Sequence, residues 1–164
     1  MFISEKMEKA LSDQVNAEVA SAYLYASMAA WLDANDLPGC AHWMKKQADE
    51  ELEHAEKIYN FVYDRGGKIT YAAIEAPQTE WENVHKLFEH VLAHEQKVTG
   101  LIYGLVDLAV ELKDHATKNM LNWFLEEQVE EEKNASEVLA KFKHMGSSGI
   151  ALSHIDKDLG AREE

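Results

Sequence analysis

The chain has little of what sheets, disulfide frameworks and membrane spans require. Among its 164 residues are two prolines, eight glycines and one cysteine. So few turn formers favour long helices over a turn-rich sheet fold. The lone Cys40 excludes an intrachain disulfide framework and makes a reducing cytoplasm the expected setting. It follows a Pro-Gly turn and reads as a packing residue. No apolar run approaches the roughly 20 residues of a membrane span. Glu5, Lys6, Glu8 and Lys9 fill the first turns with no apolar stretch behind them, so no signal peptide is expected. Net positive charge is missing too: 30 acidic residues against 16 Lys and Arg leave a net charge of −14. Such a chain is expected to repel nucleic acid and anionic lipid and to attract cations.

What is present is long helical periodicity. The pattern predicts one domain over residues 1–164, with a helical bundle over about 4–145 and a short helix over about 150–160. The first helix is expected from Ser4, its cap, to Ala34, and the second from Cys40 to Asp64, stopped by Gly66-Gly67. Residues 68–80 are polar and irregular. A third helix is expected from Trp81 to Lys113, and a fourth, capped by Asp114, to Met145. Gly146-Ser147-Ser148-Gly149 should break it before a tail with Leu152, Ile155 and Leu159 on one face. Short turns make helices one and two, and three and four, antiparallel neighbours, while the longer link can cross the whole bundle.

Apolar residues at alternating steps of three and four mark the face each helix buries. On helix one the seam runs through Leu11, Val15, Ala22 and Tyr25, interrupted by Glu18. On helix two Glu51 interrupts it, with His54 a turn later; on helix three, Glu95; on helix four, Gln128 and Glu131. Each exception lies near the middle of its helix, so in an antiparallel bundle all should meet at one height. Burying unpaired carboxylates costs several kcal/mol each, against a net stability of about 5–15 kcal/mol. No Arg or Lys falls on these seams at that height. Protonation could neutralise one or two acids, whereas two divalent metals would neutralise all four. Carboxylates with one imidazole suit iron or manganese better than structural zinc or calcium. In Glu51-x-x-His54 the two residues share a helix face and can reach the same metal pair.

Along its whole length the chain resembles the bacterial non-haem ferritins, through Glu18, Glu50-Glu51-Leu52-Glu53-His54, Glu95 and Glu127-Gln128-Val129-Glu130-Glu131. The resemblance implies an all-α fold: a ferritin-like four-helix bundle with one long crossover and a short fifth helix. It implies iron storage in a hollow shell of 24 subunits, each with a ferroxidase centre that oxidises Fe(II) with dioxygen or hydrogen peroxide. One iron position would use Glu18, Glu51 and His54, and the other Glu51 as bridge with Glu95 and Glu131. Gln128 would lie beside the pair. Glu50, Glu127, Glu130 and Glu131 match the ligands of a third iron position. Tyr25 matches a tyrosine near the centre that supplies an electron or a hydrogen bond, and Trp123 a nearby aromatic. The fifth helix would line a channel at the fourfold axis. Two departures set the chain apart from bacterioferritins. Gln128 stands where they carry the Glu of a second E-x-x-H, and Leu52 where they carry a haem-binding methionine, so no haem is expected.

Plainer readings compete at several positions. An acidic run such as 126–132 is usually a solvated face, and Glu126 and Glu132 read as that. Core packing explains Tyr25 as well as redox chemistry does. His90 and His94 flank the helix-three seam and are expected at the surface or at a subunit contact. The main rival function is a carboxylate di-iron oxidoreductase that stores no mineral, and oxygen uptake without an organic substrate would discriminate the two.

Overall fold

The computed structural model describes residues 2–145 and 148–162. Among the described residues five helices form: α1 (Glu5–Ala34), α2 (Pro38–Asp64), α3 (Val84–Glu111), α4 (His115–Met145) and α5 (Gly149–Gly160). There is no strand among the described residues. α1 packs on α2 and α3 on α4, α1 also meets α3, and α5 lies across the ends of α2 and α4.

Local chemistry explains the helix ends. The Ser4 hydroxyl accepts from the Met7 amide at 3.3 Å, and the Asp114 carboxylate accepts from the Thr117 amide at 3.1 Å, as expected for N-caps. α3 starts later than its periodicity suggested. Asn83 caps it by accepting from the Lys86 amide at 2.9 Å, leaving Trp81 just outside, packed edge-on to Trp31. α2 starts earlier, because Pro38 fits the first helical turn without an amide hydrogen. Its cap comes from another helix: the Asp156 carboxylate of α5 accepts from the Cys40 amide at 2.8 Å. That approach requires Gly39, where a Cβ would lie 1.7 Å from the Asp156 carbonyl oxygen. Cys40 is buried, and burial pushes its thiol up out of the reactive range. Of the expected break after α4, Gly146 and Ser147 lie outside the described residues, while Ser148 caps α5 through the Ala151 amide at 3.3 Å.

The link from 65 to 83 is the long crossover. At about 3.3 Å per residue it can outreach a helix rising about 1.5 Å per residue, and it climbs α1 by polar contacts. The Lys68 amide donates to Glu8 at 3.2 Å and the Thr70 amide to Ser12 Oγ at 3.2 Å. Asn16 donates to the Thr70 carbonyl at 2.9 Å and accepts from the Ala72 amide at 2.8 Å. Ser27 donates to the Gln78 carbonyl at 2.7 Å.

The apolar interior is split. One half gathers Met28, Leu32, Met44, Phe88 and Phe142, with Ile155 and Leu159 of α5 closing its end. The other gathers Met7, Leu11, Ile58, Ile102, Leu121 and Phe124. Between them lies a belt of buried polar residues.

Candidate metal centre

Glu18, Glu51, His54, Glu95, Gln128 and Glu131, the seam exceptions of four helices, are all buried. Antiparallel packing brings them to one level. Ligand atoms of Glu18, Glu51 and His54 lie within 4.8 Å of one another, as do those of His54, Glu127 and Glu131. His54 belongs to both groups because its ring nitrogens point apart. Nδ1 lies 3.7 Å from Glu51 Oε2, and Nε2 lies 4.0 Å from Glu127 Oε1. Trp123 and Phe124 pack edge-on against the ring at 5.4 and 5.9 Å and fix its plane.

The remaining polar atoms are held by neutral donors. Gln14 donates to Glu18 Oε1 at 2.8 Å and Gln47 to Glu131 Oε2 at 2.8 Å. The Tyr25 hydroxyl donates to Glu95 Oε1, and Gln128 donates to Glu95 Oε2 at 3.3 Å. Glu95 belongs to neither triad, being drawn toward Tyr25 and Gln128. Two oxygens are left over: Glu18 Oε2 and Glu51 Oε2 are buried with no hydrogen-bond partner among the described residues. Buried acceptors rarely stay unsatisfied, and these two can be satisfied by a proton shared between Glu18 and Glu51 or by a cation.

Burial dominates the electrostatics. It holds Glu18 well above the usual carboxylate range, with repulsion by Glu51 adding to the shift. It raises Glu51 likewise, opposed by a hydrogen bond with Glu18 and aided by Glu95, Glu131 and Glu50. Glu95 and Glu127 are also raised by burial, and Glu131 is raised to about 7 by burial and by Glu95. Burial and the facing Glu95 push the Tyr25 phenol far up, so it stays a hydrogen donor. Divalent cations held by these groups would oppose the carboxyl shifts. The donor set fits a pair of hard or borderline cations: oxygen-rich, one imidazole, and carboxylates able to bridge.

The positions expected to flank the pair divide. Glu127 is half-buried and faces His54. Glu130 is exposed. Glu50 points to Arg162, whose guanidinium holds both its oxygens at 2.7 Å. His94, expected at the surface or at a subunit contact, packs into its own subunit. It is half-buried, 2.8 Å from Ser21 Oγ and edge-on to the Tyr25 ring, and burial lowers its pKa to about 4. His90 accepts from the Trp81 indole at 3.1 Å.

Periodicity overlooked four participants. Gln14 lies one turn before Glu18 on the same face, a spacing that could have exposed it. Gln47 lies one turn before Glu51 but serves Glu131 on α4, which only the packed structure shows. Thr99 donates to Glu132 at 2.6 Å, taking that acid away from the pair. Arg162 arrives from beyond α5 and left no signal on any seam.

The family model of the Ferritin-like domain matches residues 8–145. The chain belongs to the ferritin family. It is 41% identical over 161 residues to a bacterial non-heme ferritin of Bacteroides fragilis, covering 98% of this chain and 100% of that one. A bacterial non-heme ferritin of Staphylococcus aureus is 39% identical, with 98% and 97% covered. Among solved structures, a ferritin from the hyperthermophilic archaeon Archaeoglobus fulgidus, described as a novel open pore ferritin, superposes with a TM-score of 0.98. It is 46% identical over 99% of this chain and 100% of that one. The ferritin bundle, with its crossover and terminal short helix, is therefore the fold of this chain.

Proposed function

We propose that this ferritin stores iron: each subunit oxidises Fe(II) at the buried centre, and Fe(III) accumulates as a ferric mineral inside a hollow shell of 24 subunits. The observation that carries the reading is the pair of unpartnered buried oxygens, Glu18 Oε2 and Glu51 Oε2, facing His54 across the gap between two apolar half-cores. The ferritin names of the relatives support the storage role.

In this reading one Fe(II) is held by Glu18, Glu51 and His54, and a second by Glu51, Glu95 and Glu131, with Gln128 beside them. Iron is the substrate. Each Fe(II) gives up one electron, and dioxygen takes two electrons and two protons to become hydrogen peroxide, which can itself serve as oxidant. Carboxylates favour the ferric state because their charge stabilises the higher charge more. Tyr25 keeps Glu95 oriented by its hydrogen bond and stands ready to pass an electron. Glu127, Glu131, Glu50 and Glu130 mark the third position and the way out for Fe(III).

The chain acts as one ferritin-like domain over residues 1–164, in the cytoplasm, without haem and without nucleic-acid or membrane partners. Tyr63, Tyr71, Val129 and Ile150 expose large apolar surfaces, which suits burial between copies of the chain.

The test is aerobic addition of Fe(II) followed by size-exclusion chromatography with iron measured in each fraction. Many irons per subunit should elute with a particle of several hundred kilodaltons, and Glu18→Ala should slow oxidation. A small particle holding at most two irons per subunit would instead favour a di-iron oxidoreductase.

A further inference from the structure

Arg162 reaches the centre from beyond α5. One guanidinium nitrogen holds both Glu50 oxygens at 2.7 Å. The other donates to Gln47 Oε1 at 2.5 Å and to the Trp43 carbonyl at 3.5 Å. The guanidinium lies 5.0 Å from the centre of the Trp43 ring, and the Arg162 carbonyl lies 3.0 Å from His42 Nε2.

Two consequences follow from this geometry. Gln47 is fully buried, and its amide has one oxygen and one nitrogen to place. With Oε1 on Arg162, the nitrogen must face Glu131, where it donates at 2.8 Å. Arg162 therefore sets the orientation of a centre carboxylate through Gln47. In addition, both Glu50 oxygens are occupied, so a cation can take Glu50 only by displacing the guanidinium. Displacement is feasible. The pair is partly solvated, with side chains 20% and 35% exposed, so water can take over the hydrogen bonds of a departing guanidinium. A hollow of about 270 Å³ lined by Trp43, Asn134, Val138, Leu159 and Arg162 gives the side chain room to swing aside.

We infer that Arg162 is a positioning residue and a cationic placeholder at the third position: it occupies Glu50 while that position is empty and withdraws when a divalent cation binds. The inference rests on the reading of Glu50 as part of the iron centre. Arg162 follows α5, which is tied to α2 through Asp156 and the Cys40 amide. Cation binding and docking of the end of α5 are therefore linked, and the linkage is reciprocal: whatever loosens one favours the other.

The experiment uses the assembled protein and redox-inert Zn(II). Calorimetric titrations compare the unmodified chain with Arg162→Gln, Arg162→Lys and Glu50→Gln. Each variant's assembly is checked by its elution volume. Arg162→Gln should tighten the Glu50-dependent zinc step about fivefold and, by freeing the Gln47 amide to turn away from Glu131, weaken zinc at the buried pair. Arg162→Lys should fall between, keeping the charge without the fork. Saturating zinc should raise amide hydrogen exchange over residues 156–162 severalfold in the unmodified chain and not in Glu50→Gln. Zinc on the buried pair with an unchanged Glu50-dependent step, or with no change in exchange near Arg162, would overturn the placeholder role of Arg162 alone. Failure of zinc to bind Glu18, Glu51 and His54 would overturn the metal centre and that role together.

Discussion

The same four helices build two apolar half-cores and one polar waist, under opposite rules. In the half-cores Phe88 stacks on Phe142 at 5.0 Å and Trp43 tilts against Phe88 at 5.5 Å, each side chain satisfied by its neighbours. In the waist, a few turns along the same seams, buried carboxyls crowd one another and two oxygens have no partner. The halves hold the helices in register, and the register brings the waist residues together. The waist contributes no comparable stability of its own. A fold can carry such a belt only because apolar packing on both sides outweighs it. Substitutions on either side of this boundary should therefore have effects of opposite sign on stability.

The largest effect is expected in the half-cores. Phe88→Ala and Phe124→Ala, one in each, should each cost about 3–5 kcal/mol of stability by opening a cavity. Chemical denaturation of the metal-free protein would measure it. A loss below about 1 kcal/mol at either position would mean that the waist, not the packing, holds the bundle together.

Glu51→Gln should do the reverse. It removes a buried carboxyl whose charged form burial disfavours while keeping its shape, so metal-free stability should hold or rise by about 1 kcal/mol. Fe(II) oxidation in stopped flow should fall at least about 100-fold, roughly 2.7 kcal/mol of barrier. A metal-free protein destabilised by this change would show that Glu51 is a structural hydrogen-bonding group rather than a ligand.

Titration separates the regions a third way. Glu131 keeps its proton up to about pH 7 in the folded chain, whereas an unfolded chain releases it near pH 4.3 or about that value. Between those values the folded state binds more protons, so stability falls as pH rises through the window. The metal-free protein should lose about 1–3 kcal/mol more than Glu131→Gln between pH 5 and pH 7.5. Zinc should remove the difference by replacing the proton. Parallel pH profiles for the two metal-free proteins would place Glu131 in a solvated setting.

Legibility from sequence follows the same boundary. Helix faces, their number and the crossover were open to inspection because apolar spacing and loop length are local. Glu18, Glu51, His54, Glu95, Gln128 and Glu131 were legible because each breaks its own helix's pattern. The start of α3 was not, since Trp81 continues the apolar pattern while Asn83 supplies the cap that decides the first turn. Nor were Gln47 and Arg162, whose partners lie 84 and 112 residues away, on Glu131 and Glu50. Periodicity reports which face a residue occupies and is silent on which neighbour it meets. The inward contacts of His94 were missed for a related reason. It flanks the seam, yet the small Ser21 on α1 leaves room for its ring against Tyr25.

The smallest expected effect tests the boundary itself. Tyr25 belongs to the apolar half-core by its ring and to the waist by its hydroxyl. Tyr25→Phe keeps the ring and removes the donor to Glu95. Core packing should survive, so stability should change by only about 1 kcal/mol, the usual net worth of one hydrogen bond. Glu95 would keep Gln128 but lose the group that pulls its Oε1 toward α1. If Tyr25 serves the waist, oxidation should slow about tenfold, roughly 1.4 kcal/mol, with iron still bound at the pair. Zinc calorimetry beside stopped-flow oxidation separates the cases. Unchanged rate and unchanged zinc affinity would assign Tyr25 to packing alone. A slower rate with unchanged zinc affinity would assign its hydroxyl to the oxidation step, and weakened zinc binding would assign it to holding Glu95 in place.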